Sequence, residues 1–106
     1  MDLAKLMYSV TEHFPRSEQF GLVTQLRRAA VSVPANLAEG AARHSVKEQL
    51  QFYFVSRASL SEIDTLIELS AELRFLNGPE HKAVTEKLAE ASSLIQGLLT
   101  ERQQRS

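Results

Sequence analysis

Apolar side chains recur along this chain at steps of three and four, the spacing of one face of a helix. Leu3, Leu6, Val10 and Phe14 form the first such run and predict a helix over roughly residues 2–13. It stops near Phe14-Pro15, because a residue that precedes proline avoids the α region. Ser17 is the expected N-cap of a second helix that runs to about His44, with Glu18 in its first turn. Ser45-Val46-Lys47-Glu48 has the form of a capping box and opens a third helix that runs to about Leu76. Asn77-Gly78-Pro79 is the clearest break: Asn or Gly suits the end of one helix and Pro the first position of the next. A fourth helix then carries Val84, Leu88, Ala91, Ile95 and Leu98 on one face, and its polar tail from Thr100 to Ser106 is expected to fray. Short connections between long helices make neighbours antiparallel. The predicted fold is all-α, a single up-down-up-down four-helix bundle over residues 1–106.

The second helix is apolar on more than one side. Val23, Leu26, Ala30, Val33, Leu37 and Ala41 form its main stripe, while Arg28, Ser32, Asn36, Glu39 and Arg43 lie nearly opposite. Val31, Ala35, Ala38 and Ala42 fill one flank of that polar strip. A helix that is apolar around most of its circumference is normally covered on more than one side. Pro34 leaves two readings open. It kinks a continuous helix by removing one backbone hydrogen bond, or the helix breaks and restarts with Asn36 as cap of an Asn-x-x-Glu box. The apolar phase passes through Pro34 unchanged, which favours the kink.

On the third helix, Phe52, Val55, Ser59, Glu62, Leu66, Leu69, Leu73 and Leu76 follow a 3-4-3-4 seam. Glu62 inside such a seam needs a partner. With a tight turn near Ser45, antiparallel positions whose numbers total about 90 stand level. That rule places Glu62 beside Arg27 and Arg28, and a Glu62–Arg27 ion pair is expected. Two long helices against a short first helix also leave apolar surface for another subunit.

Composition supports this picture and narrows the chemistry. The 106 residues include no Cys and no Trp, with only 4 Gly and 3 Pro, so disulfides and thiolate metal sites are excluded. No apolar run approaches the ~20 residues of a membrane span, and the first residues lack the pattern of a signal peptide. The expected location is the cytoplasm, with no membrane partner. The net charge is −1, but residues 16–57 hold six cations and three anions, a local +3 that leaves −4 elsewhere.

No catalytic constellation is visible. Di-metal bundles use Glu-x-x-His pairs, which are lacking here, and His13, His44 and His81 all fall near helix ends. Ser32 and Ser59 have no histidine in plausible reach. Neither a metal, a cofactor nor a catalytic residue is therefore expected. Glu39 and Glu62 are the one carboxylate pair for an acid/base reading, against which the simple salt-bridged role is set. The polar candidates for a structural or interface network are Arg27, Arg28, Ser32, Asn36, Glu39, Arg43, Ser59 and Glu62. Candidates for nucleic-acid contact are Arg28, Arg43, Lys47 and Arg57, with Tyr53 and Phe54 nearby for stacking. The near-neutral total charge weighs against that role.

Gln25 to Arg43 (QLRRAAVSVPANLAEGAAR), the Ser-x-x-Glu at Ser45 and residues 56–66 (SRASLSEIDTL) are similar to the family named for the intervening sequences of 23S ribosomal RNA genes. Residues 14–22 (FPRSEQFGL) match that family's lead-in, and the run from Ser32 to Gly40 is its most specific part. Departures are a short segment before Phe14 and Ala58 in a region where glycine is frequent. The resemblance implies a small helical bundle that assembles as a homopentamer, with a largely undefined biochemical role. A similar fold serves as the accessory protein of diversity-generating retroelements, which binds nucleic acid. The leading expectation is a non-enzymatic, ring-like homo-oligomer for assembly or adaptor work. The alternative is an RNA- or DNA-binding oligomer with an Arg-rich surface on the second and third helices.

Overall fold

The computed structural model describes residues 2–105, and Ser106 at the end of the polar tail lies outside them. Four helices form: α1 (Asp2–Thr11), α2 (Leu22–Ala41), α3 (Val46–Glu72) and α4 (Gly78–Arg105), with a 3-10 turn at Arg16–Glu18 between the first two. α1 packs on α2 and α4, α2 on α3, and α3 on α4, which closes an antiparallel four-helix bundle of 45 × 23 × 19 Å. Its centre is built from Leu3, Met7, Val10, Leu26, Val33, Ile63, Ile67, Val84, Ile95 and Leu99.

The helix ends show why the chain divides where it does. Ser45 accepts the backbone N–H of Glu48 at 3.1 Å, the forward half of the expected box. Asn77 and Glu80 form the reciprocal version. Glu80 N–H donates to Asn77 Oδ1 at 2.8 Å, and Asn77 N–H donates to Glu80 Oε1 at 3.0 Å. Asn77 therefore starts α4 and does not end α3. The end of α3 comes earlier than expected, at Glu72. Arg74 adopts φ 64, Phe75 N–H reaches back to Ser70 O at 2.9 Å, and Arg74 N–H bonds Ala71 O at 3.0 Å. This is a Schellman ending whose left-handed position holds an arginine in place of glycine, so it carries no sequence signal.

The start of α2 also differs from expectation. Ser17 caps nothing; it sits inside the 3-10 turn. Gly21, at φ −114 and ψ −106, interrupts helical geometry, and α2 begins at Leu22. Its far end is Ala41, three residues short of His44. α1 ends at Thr11, and its core face uses Met7, which is fully buried, while Leu6 is only half-buried. α2 runs unbroken through Pro34, which excludes the break-and-restart reading. Asn36 donates back to the Ser32 carbonyl at 2.8 Å, so it is no cap. On α4, Val84, Leu88, Ala91 and Ile95 are buried as expected, joined by Leu99, with Leu98 half-buried. The helix continues through the polar tail to Arg105, where Glu101 pairs with Arg102 and Arg105.

The largest correction concerns α3. Its buried residues are Tyr53, Ser56, Ser59, Leu60, Ile63, Ile67 and Ser70. That seam lies one residue along from the expected one. Of the expected seam, Val55, Leu69 and Leu73 are 47%, 41% and 49% exposed, and Glu62 is exposed as well. Serines at Ser56 and Ser70 conceal the true seam from a reading based on apolar spacing. Each is buried because its hydroxyl donates to a carbonyl, Val33 O at 2.8 Å and Leu66 O at 2.7 Å.

Candidate functional site

The most specific sequence run, Ser32 to Gly40, lies where α2 meets α3. Ser59 Oγ donates to Ser32 Oγ at 2.9 Å, and Asn36 Nδ2 donates to the same oxygen at 2.9 Å. One step further in, Ser56 bonds the Val33 carbonyl. Gly40 is required by close approach: a Cβ there would stand 2.7 and 2.9 Å from two carbons of the Tyr53 ring. Small hydroxyls and a missing side chain let two backbones approach, and hydrogen bonds satisfy the polar groups that this buries. The run is thus a packing device. The contacts Ser32–Ser59 and Val33–Ser56 also follow the expected register, in which numbers total about 90.

The remaining polar candidates separate into independent parts. Arg27 turns toward α1: its Nε donates to Thr11 Oγ1 at 2.9 Å, its Nη2 to the Tyr8 carbonyl at 3.3 Å, and its guanidinium lies 4.6 Å from the Tyr8 ring centroid. The expected Glu62–Arg27 ion pair therefore does not form. The level was right, but the two side chains leave their helices on different sides. Glu39 is exposed and pairs with Arg43 one turn on, and Arg43 also covers the Phe52 ring at 4.9 Å. Among the described residues, Arg28, Lys47 and Glu62 have no ion-pair or side-chain hydrogen-bond partner.

The basic candidates do not form one stripe. Arg57 lies about 200° around α3 from Ser59, at 100° per residue, so it points away from α2. It lines a groove between α3 and α4 with Leu60, Asp64, Thr85 and Leu88, and covers the ring of Phe54 at 4.9 Å. Tyr53 is 2% exposed and cannot stack on a ligand. Glu39 and Glu62 both face solvent, and the principal surface grooves are lined by other residues. Among the described residues, no cluster of three metal-ligating His, Asp or Glu side chains occurs. Among the described residues, no helix is long and apolar enough to cross a membrane.

Sequence reasoning expected apolar surface on the two long helices to stay uncovered, but did not place the residues that form it. Ser32 and Ser59 mark where α2 and α3 touch. Counting 100° per residue from Ser32, Arg28, Val31 and Ala35 lie on the outward side of α2; from Ser59, Val55, Glu62, Leu69 and Leu73 lie on the outward side of α3. Val31 is 46% exposed. The signal was present in the 3-4-3-4 seam from Phe52 to Leu73, taken there for core. Phe20, in the turn before α2, is 98% exposed.

No curated protein matches the sequence. A family model described as 23S rRNA-intervening sequence protein matches residues 1–97, which takes in all of α1, α2 and α3 and most of α4. The chain, a four-helix bundle whose most specific motif is the α2–α3 packing seam, belongs to the 23S rRNA-intervening sequence protein family.

Proposed function

We propose that this protein is a non-enzymatic homo-oligomeric module that assembles as a ring, a pentamer on the family resemblance, and serves as a scaffold or adaptor. The observation that carries this reading is the partly exposed apolar row on the outer side of α2 and α3, made of Val31, Val55, Leu69 and Leu73. Apolar side chains aligned on one face of a small bundle mark an interaction surface. This reading places the protein in the cytoplasm.

Nucleic-acid association is the second reading and rests on Arg28 and Lys47, the exposed cations of α2 and α3 that hold no partner. Size exclusion coupled to light scattering at micromolar concentration, with and without a short RNA, tests both. The expected result is an oligomer whose mass is unchanged by RNA. A clean monomer overturns the assembly reading. A salt-sensitive RNA complex that is lost in Arg28→Ala while the oligomer persists moves the second reading to first place.

A further inference from the structure

Arg28 and Glu62 pose a physical puzzle. They stand level on adjacent helices, by the same register that joins Ser32 to Ser59 and Val33 to Ser56. Both lie on the outward side of their helices, carry opposite charges and border the exposed apolar row. Neither has an ion-pair partner among the described residues. Every other charge on the outer α2–α3 surface near them is either paired, as Glu39 with Arg43, or further along the bundle.

We propose that the occupant of this face is a second copy of the chain, docked so that Arg28 of one copy pairs with Glu62 of the next. The inference rests on the assembly reading above and adds the surface, the register and the specificity pair. Copies related by rotation about an axis parallel to the helices keep their levels along the bundle. The outer side of α2 in one copy then meets the outer side of α3 in its neighbour, antiparallel and with Arg28 level with Glu62. The same register sets Ala35 opposite Val55. It also brings Phe20, bare in one copy, to about the level of Leu69 and Leu73, bare in the other. The apolar row supplies the burial, and the charge pair selects the register, since a shifted alignment leaves both charges against apolar side chains.

Charge exchange tests this without disturbing the core, because both residues are exposed. Arg28→Glu and Glu62→Arg are prepared separately and together, and circular dichroism checks that each variant keeps its helices. Each single variant is expected to associate about tenfold or more weakly than the native chain in light scattering. Mixing the two single variants is expected to restore a larger species that contains both, because each then presents the charge that the other lacks. Single variants that assemble like the native chain overturn the inference. So does a mixture in which the two single variants associate with each other no better than each does with itself. In both cases the native oligomer still stands, whereas a monomeric native chain removes the assembly reading itself.

Discussion

Two seams run along α3, one residue apart, and both step by three and four. The inner one, Tyr53, Ser56, Leu60, Ile63, Ile67 and Ser70, is buried against α2 and α4. The outer one, with Val55, Glu62, Leu69 and Leu73, is largely open. By apolar spacing the outer seam is at least as good, with Val55 and Leu69 beside the inner Ser56 and Ser70. The difference teaches that closeness, and not hydrophobicity alone, selects the core face. Ser56 on the inner seam permits a tight approach to α2 and hydrogen-bonds its backbone, while the Ser70 hydroxyl is satisfied by Leu66 O of its own helix. Bulky leucines at those positions would hold the helices apart.

This contrast can be broken by substitution. Ile63 is fully buried, and Ile63→Ala is expected to cost about 2–5 kcal/mol in urea unfolding through lost burial and a cavity. If it costs no more than Leu69→Ala, the assignment of inner and outer seams is wrong. Gly40→Ala probes the closeness itself. The added methyl must displace the Tyr53 ring, for an expected loss of about 1–3 kcal/mol in the same assay. A neutral result shows that the helices have room to spare.

Smaller effects sharpen the picture. Ser56→Ala removes the buried hydroxyl that serves the Val33 carbonyl and is expected to cost about 1 kcal/mol. Arg74→Gly relieves the left-handed backbone that ends α3 and is expected to raise stability by about 0.5–1 kcal/mol, read from the thermal midpoint. A loss of stability would mean that the arginine side chain outweighs the strain. Leu73→Ser on the outer seam is expected to change single-chain stability by about 0.5 kcal/mol or less while it weakens assembly in light scattering. Equal effects on both measurements would assign Leu73 to the core.

Legibility in the sequence followed how local each feature is. The capping box at Ser45 is made of neighbours in the chain, so short-range pattern is enough to find it, while the equally local box at Asn77 was hidden because Asn-Gly-Pro also suits a helix end. The α2–α3 register follows from one tight turn, which is why levels were right even where partners were wrong. The Arg27 assignment failed because rotation about a helix axis depends on what packs on each side. α1 supplies Thr11 and the Tyr8 carbonyl, and those contacts take the guanidinium away from α3. The end of α3 was missed because an arginine stands where the turn geometry favours glycine. Ser56 was missed because a buried hydroxyl is stable only with a carbonyl in reach, and Val33 O comes into reach only once α2 is in place, whereas Ser70 bonds Leu66 O one turn back in its own helix and its burial depends on what packs around it.

By itself, the sequence determined the helix count, the Ser45 cap, the antiparallel order and the family motif, since each rests on contacts within a few residues or across one short turn. Only the tertiary structure decided which of two equivalent seams on α3 is inside, and that Arg28 and Glu62 face outward and unpaired. Those outcomes depend on the distance between two helices, which the Gly40–Tyr53 contact and the serine hydrogen bonds set together and no single segment encodes.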